Sequence, residues 1–187
     1  QAPEGNWGEP WQEACEEASL IMTAHYFNKS ISIPVNTAID DIFTLVEYQT
    51  NSGLNYHDSD MYQTAVMGES VHGLVTEIIE NPTIEDITSN LLAGNPVIAP
   101  YAGRLLKNPN FSPPGPRYHV HVIVGFDDAT EEFITHDPGT RFGKNYRYSY
   151  TTIMNAMHDW TGSAITIEEG AKRILVVKGV LDAYKTN

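Results

Sequence analysis

The first half of the chain has apolar residues at the spacing of α-helices. Between Trp11 and Asn28 they cover most of the helix circumference, which predicts a buried central helix behind an extended lead-in of about ten residues. The same spacing, together with capping residues, predicts three more helices: Thr37–Gln49 behind Asn36, Asp60–Glu69, and a helix after Pro82 that Thr83 and Asp86 cap and Gly94 ends.

After Gly94 the pattern changes to short apolar runs that end at proline, glycine or turn residues. These runs predict strands at Val97–Ala99, His119–Val124, Glu132–Thr135, Tyr146–Tyr150 and Arg173–Lys178, with a helix at Thr152–Trp160. Helices first and antiparallel strands second predict an α+β fold. No repeat or long linker divides the chain, so we expect one domain spanning residues 1–187.

Charge narrows the classes of partner. Eleven basic and 24 acidic residues give a formal net charge of −13. A chain of this charge is a poor ligand for nucleic acid or for an anionic membrane surface, because both require lysine and arginine. No apolar run approaches the roughly 20 residues of a membrane span. We therefore expect no nucleic-acid partner, no membrane span, and a monomer.

Cys15 is the single cysteine of the chain. It excludes an internal disulfide and a metal site of several thiolates, and leaves either an inert core thiol or a reactive one. At the start of a helix, unpaired amide groups and the helix dipole stabilise a thiolate. Glu16 and Glu17 oppose this effect, and a thiolate at Cys15 can be reconciled with them if their side chains point to solvent.

A histidine and an aspartate follow in contexts that suit a thiol nucleophile. His119 begins one predicted strand, and Asp137 closes the next, before a Pro-Gly turn. If a turn at Asp127–Thr130 pairs the two strands, both residues fall at the same end of the hairpin, where the aspartate can orient the imidazole. His121 is a competing base, since it lies on the same sheet face two residues later. The other histidines are scattered, and we expect no functional metal.

Four segments resemble a known family in their order along the chain: Gln1–Leu20, Ala93–Ile98, Tyr118–Asp128 and Ile134–Gly139. The family is a bacterial papain-fold group that is similar to the bacteriocin-processing, double-glycine leader peptidases. Unlike those peptidases, it occurs as a stand-alone domain without a transporter. The resemblance covers most of the chain, and it implies a papain-like fold with the nucleophile helix packed on an antiparallel sheet.

The resemblance also implies roles for individual residues. Cys15 corresponds to the nucleophile, His119 to the base and Asp137 to the residue that orients it. The family's oxyanion-hole glutamine corresponds to Gln1, with Gln12 as the rival because it is nearer to the nucleophile. A free N-terminal glutamine tends to cyclise, so we expect more chain before Gln1 if it serves as the donor. No cofactor is implied.

Two departures from related families limit what the resemblance implies about substrate. Transporter-linked leader peptidases have Asp-Cys-Gly around the nucleophile, whereas this chain has Ala14-Cys15-Glu16. A preference for double-glycine substrates is therefore not supported. The proline-rich stretch Tyr101–Arg117 leads into the histidine, and we expect it to form one wall of a substrate groove, since loops of this length are commonly functional. The predicted substrate-binding residues are Tyr101, Gly103 and Tyr118.

Three functions remain open at this point. The first is thiol-dependent hydrolysis of a peptide or protein through a covalent acyl-enzyme. The second keeps that thioester and transfers the acyl group to an amine, or deamidates a glutamine. The third is a peptide-binding module without catalysis. The resembled family is commonly exported, so we expect an extracytoplasmic or secreted bacterial protein.

Overall fold

The computed structural model describes residues 1–30 and 32–184 of the chain. Its five α-helices are α1 (Cys15–Phe27), α2 (Val35–Asn51), α3 (Met61–His72), α4 (Ile84–Leu92) and α5 (Tyr150–Ala156). Its six strands are β1 (Leu74–Glu80), β2 (Val97–Ala102), β3 (Tyr118–Asp127), β4 (Glu132–His136), β5 (Lys144–Ser149) and β6 (Arg173–Val180). None of the described helices is long and apolar enough to cross a membrane.

All six strands join one antiparallel sheet in the order β1-β6-β2-β3-β4-β5. Alternate residues of the central strands enter two apolar layers, as the two-residue period of a strand requires. Ile98, Val120 and Leu175 pack with α1, α2 and α3, whereas Ala99, Ile123 and Val176 pack with α4 and α5. The predicted α+β class, with helices packed on an antiparallel sheet, is confirmed.

The predicted buried central helix is present, but it starts later than expected. Trp11–Glu13 form a separate 3-10 turn, and Ala14, at φ −92° and ψ 38°, breaks the helical path before α1. Cys15 is therefore the first residue of α1. This position leaves its backbone N–H without an acceptor among the described residues, as is usual in the first turn of a helix.

The capping predictions had two outcomes. At α4, Thr83 and Asp86 form the predicted capping box, in which each side chain accepts the other residue's backbone N–H. At α2 the prediction was wrong, because the helix begins at Val35 and Pro34 precedes it without a side-chain cap. Proline fits this position, since its fixed φ of −59° suits the residue that leads into a helix.

Two features of the sheet were not predicted. β1 follows α3 after a single residue, Gly73, which adopts φ 61° and turns the chain sharply. β2 continues through Pro100, although proline normally ends a central strand. It is tolerated because β6 pairs with β2 only at Val97 and Ile98, so no strand requires the missing N–H of Pro100.

Candidate active site

The hairpin of β3 and β4 brings His119 and Asp137 together. The two strands pair from Val122 opposite His136 to Asp127 opposite Glu132, with the tight turn at the predicted place. Asp137 follows the last residue of β4 and lies at the end of the hairpin where β3 begins. His119 Nε2 and Asp137 Oδ1 are 2.8 Å apart, and both side chains are almost completely buried.

Asp137 accepts hydrogen bonds from several buried neighbours besides His119. The backbone N–H of Gly139 donates to Oδ1 at 2.9 Å, the Tyr148 hydroxyl donates to Oδ2 at 2.8 Å, and Asn108 donates to Oδ2 at 3.4 Å. Burial alone would raise the pKa of Asp137, but the charge and hydrogen bond of His119 outweigh it and hold that pKa well below its usual range. Asp137 is thus a fixed carboxylate.

Sequence reasoning missed Tyr148 and Asn108 as supports of Asp137. Tyr148 could have been identified from the alternation of polar and aromatic residues along β5, because it is the buried residue between two exposed neighbours. Asn108, which also donates to the Tyr148 hydroxyl at 2.7 Å, lies in the loop after β2 and has no comparable pattern. A residue whose role depends on a loop conformation cannot be identified from local periodicity.

The ring of His119 is packed on two further sides. Phe111 of the proline-rich loop meets it edge-on, with ring centroids 5.2 Å apart. A Cβ atom on Gly139 would lie 2.7 Å from His119 Cε1, so only glycine allows this close approach. Because Nε2 is directed at Asp137, Nδ1 is the nitrogen left for a nucleophile.

Cys15 lies against the same strand. The backbone of Val120, the residue after His119, lowers the pKa of the Cys15 thiol, and both residues belong to one buried apolar cluster. The free backbone N–H of Cys15 and the dipole of α1 act in the same direction. The nucleophile predicted from the sequence and the histidine strand are therefore neighbours in the fold.

The side chains of Glu16 and Glu17 do not point to solvent. Both are buried, at 1% and 0% exposure, because α1 is enclosed by α2, α3, β3 and β6 and has no solvent side at its first turn. Glu16 Oε2 accepts from Cys15 Sγ at 3.0 Å, and Glu16 Oε1 accepts the backbone N–H of Ser59 at 2.9 Å. The oxygens of Glu17 have no hydrogen-bond partner within 3.5 Å among the described residues.

These two acids change the electrostatics of the nucleophile. Burial raises the pKa of the Cys15 thiol well above its ordinary value, and the charge and hydrogen bond of Glu16 raise it further. Burial, reinforced by the charge of Glu17, also raises the pKa of Glu16 well above its usual range. Burial raises the pKa of Glu17 to about 7. Cys15, Glu16 and Glu17 are therefore each stabilised in the neutral, protonated form.

The two candidate oxyanion glutamines lie in different places. Gln1 is half-buried beside the turn that precedes α1, and its backbone nitrogen donates to the carbonyl of Pro138 at 3.2 Å. Its side-chain amide donates to the carbonyls of Trp11 and Gln12 at 3.0 and 2.8 Å. Gln12 is exposed, and its amide donates to Glu13 instead. Both amide hydrogens of Gln1 are therefore engaged by backbone carbonyls, and the choice between Gln1 and Gln12 as oxyanion donor stays a prediction.

His121 lies beside the pair without joining it. Its Nδ1 is 3.9 Å from Asp137 Oδ2, beyond hydrogen-bond distance, and neither ring nitrogen has a partner among the described residues. Burial lowers the pKa of His121 to about 3, so the ring is neutral. Tyr101 and Tyr148 stack on its two sides, with centroids 4.3 and 5.4 Å away. This environment is that of a core side chain.

A metal would have to use the same atoms as the hydrogen-bonded pair. Of the side chains in residues 1–30 and 32–184, only His119, His121 and Asp137 bring three possible ligand atoms within 4.8 Å of one another. A metal ion there would have to bind the same residues that form the hydrogen-bonded pair.

The three predicted substrate-binding residues lie inside the molecule. Tyr101 is fully buried. Tyr118 is also buried, and its hydroxyl donates to the carbonyl of Ser59 at 2.9 Å. Gly103 packs so closely against the histidine strand that a Cβ atom added to it would lie 3.1 Å from the Cβ of His119. Tyr101 and Tyr118 expose little surface to a ligand, whereas Gly103 lines the pocket in the loop after β2. Their role in substrate binding stays a prediction.

Two pockets lie near the site but do not contain its reactive groups. The loop after β2 encloses about 280 Å³, lined by Gly103, Asn108, Phe111 and their neighbours, next to the ring of His119. A second pocket of about 350 Å³ lies at the far end of α1 and is lined by Met22, Tyr26, Val122 and His136, among others. Cys15, His119 and Asp137 line neither.

Comparisons with known proteins agree with this fold. The family described as Peptidase_C39 like family matches residues 2–164. Among solved structures, the chain is similar to a protein from Bacillus anthracis that is provisionally described as a C39-like peptidase. The TM-score is 0.58 and the identity 15%, and the match covers 90% of each chain. A search of curated proteins found no match.

Proposed function

The chain belongs to the Peptidase_C39 like family, and we propose that it is a cysteine peptidase that cleaves peptide bonds through a covalent acyl-enzyme on Cys15. The family membership confirms the resemblance noted in the sequence and suggests cysteine peptidase activity. The observation that carries the proposal is the buried pair of His119 and Asp137, 2.8 Å apart, on the hairpin whose first strand packs against α1, the helix that begins with Cys15.

In the first half of the reaction, the thiol proton moves to Nδ1 of His119 and the sulfur attacks the peptide carbonyl. Asp137 accepts from Nε2–H and stabilises the imidazolium that forms. It can do so because its carboxylate is fixed by Tyr148 and Gly139. The imidazolium then gives its proton to the leaving amine, and the acyl group remains on Cys15 as a thioester.

In the second half, His119 takes a proton from a water molecule, whose oxygen attacks the thioester. The acid is released, Cys15 leaves as a thiolate, and His119 returns the proton to its sulfur. Two donors are available for the oxyanion in both halves. One is the backbone N–H of Cys15, which has no acceptor among the described residues. The other is the side-chain amide of Gln1, which must turn one N–H away from the carbonyl of Trp11 or Gln12 to serve.

The test is incubation of the protein with a peptide library, followed by mass spectrometry of the products. We expect new carboxyl and amino termini from the wild type and none from Cys15→Ser or His119→Ala. A parallel incubation with an added primary amine separates hydrolysis from acyl transfer, because ligated products would favour the amide-transfer reaction. Peptide binding without any product, unchanged in Cys15→Ser, would favour a non-catalytic module and contradict the proposal.

A further inference from the structure

Glu16 makes the closest polar contact to the sulfur of Cys15. Its carboxyl is buried and bridges two groups, with Oε2 at 3.0 Å from Sγ and Oε1 accepting the Ser59 backbone N–H at 2.9 Å. The amide of Ser59 has only one hydrogen and can only donate, so Oε1 is fixed as an acceptor. If the carboxyl carries a proton, that proton belongs on Oε2, next to the sulfur.

The surroundings of Glu16 favour the protonated form. The ionisable groups that act on Glu16 are Glu17 on α1 and Tyr118 on β3, with Asp58 and Asp159 acting on Tyr118 in turn, and none of them is basic. The N-terminal amine of Gln1 is a basic group that acts on the sulfur rather than on Glu16. Gln49 of α2 faces Glu17 as a neutral amide. No lysine or arginine among the described residues pairs with Glu16. A buried carboxylate without a cation is costly, so the neutral acid is the stable form.

The proton on Glu16 decides whether the thiolate can form. With Glu16 protonated, transfer of the thiol proton to His119 produces one thiolate, and the Oε2–H group donates to it. With Glu16 ionised, the same transfer places two negative charges 3.0 Å apart in a buried site, which is unfavourable. The acid keeps its own proton throughout, so the balance of the peptidase mechanism is unchanged.

We propose that Glu16 is a positioning residue that holds Cys15 for reaction as a protonated acid, donating from Oε2 to the thiolate and disabling the nucleophile when it ionises. The inference rests on the proposed function, because it concerns the same sulfur. It explains why an acidic residue directly follows Cys15, where the sequence alone predicts that a negative charge would disfavour the thiolate.

The test compares two substitutions of Glu16 by the rate at which iodoacetamide alkylates Cys15 across pH. Glu16→Gln mimics the protonated acid, because Ser59 holds its carbonyl oxygen and turns the amide N–H toward the sulfur. We expect Glu16→Gln to be alkylated at about the wild-type rate at neutral pH, where Glu16 is protonated, and at least about threefold faster at higher pH, where the wild-type Glu16 ionises. Glu16→Leu removes the donor, and we expect alkylation slower than in Glu16→Gln at every pH below the thiol pKa.

The matched control is Glu13→Gln, which removes the same charge two residues before Cys15 from a partly exposed side chain. We expect its alkylation profile to stay within about twofold of the wild type, since partly exposed charges are screened. A Glu16→Gln variant with the wild-type profile, or a Glu16→Leu variant that matches Glu16→Gln, would overturn the proposal. A purely structural role for Glu16 would not separate glutamine from leucine in the direction predicted.

A second measurement does not depend on the leucine variant folding. The infrared spectrum of the wild type at neutral pH should contain a protonated carboxylic acid band that is lost in Glu16→Gln, and an identical spectrum in the two proteins would contradict the proposal. Peptide turnover distinguishes failure of the proposed role of Glu16 from failure of the proposed peptidase activity. Cleavage by the wild type with the same pH profile in Glu16→Gln would refute the role of Glu16 alone. Separated alkylation rates without any cleavage would refute the peptidase alone.

Discussion

The two halves of the candidate site are built in opposite ways. On the strand side, the carboxylate of Asp137 accepts from His119, Gly139 and Tyr148, and its pKa is held well below the usual range. On the helix side, burial and Glu16 raise the pKa of the Cys15 thiol. The strand side is a charged carboxylate whose oxygens both accept hydrogen bonds. The other half is a thiol among acids that are stable only when neutral.

In the proposed mechanism, the two sides differ in whether a proton must be lost before the reaction can begin. The strand side needs no change in protonation to orient the imidazole, since its donors already point at Asp137. The helix side must lose the thiol proton while its neighbouring acids keep theirs. We therefore expect substitutions on the strand side to lower activity or stability, and removal of an acid on the helix side to raise stability.

The largest expected effect is that of His119→Ala on turnover. Loss of the base should lower kcat/KM by about 10²–10⁴-fold, because the imidazole that takes the thiol proton and returns it to the leaving amine is removed. The comparison variant is His121→Phe, measured with the same peptide. If His119→Ala retained more than a tenth of the wild-type kcat/KM, the strand half would not be catalytic.

Asp137→Ala should produce the largest loss of stability. It leaves Nε2 of His119, the Tyr148 hydroxyl and the N–H of Gly139 without an acceptor, at a cost of about 3–5 kcal/mol. The folded pKa of Asp137 is lowered, so this stability is present above the unfolded pKa near 4 and is lost as pH falls. Urea unfolding at pH 7 and pH 3 should show a difference from the wild type that shrinks at the lower pH.

Glu17→Gln should act with the opposite sign. Burial raises the folded pKa of Glu17 to about 7 against an ordinary 4.5, so the folded state binds more protons and loses stability as pH rises between these values. The full penalty, present above pH 7, is at most about 3 kcal/mol. Glu17→Gln should therefore unfold at higher urea than the wild type at pH 8 and at similar urea at pH 4.5. Equal midpoints at pH 8 would contradict this.

The smallest expected effect is that of His121→Phe. The ring is neutral, makes no hydrogen bond to a described residue and stacks on Tyr101, so phenylalanine should fill the same space. We expect kcat/KM within about threefold of the wild type and a stability change below about 1.5 kcal/mol, as for a volume-conserving core substitution. A loss comparable with that of His119→Ala would make His121 the base.

The sequence was informative where local spacing determines the outcome. The hairpin that joins His119 to Asp137 follows from two apolar runs and a turn, and the cap at Thr83 follows from its capping box. The burial of Glu16 was not predictable, because it depends on α2, α3 and β6 closing around the first turn of α1. Asn108 was missed for a similar reason, since a loop conformation places it. Acidic residues in the first turn of a helix are exposed only if that turn has a face that no other element covers.

The most direct test of the candidate triad is the pH dependence of Cys15 alkylation in the wild type and in His119→Ala, since it requires no knowledge of the substrate. An imidazolium beside the sulfur stabilises the thiolate, so the wild type should react at least about tenfold faster than His119→Ala below pH 8. A thiol that reacts only above about pH 8, at the same rate in both proteins, would contradict the pairing of Cys15 with His119.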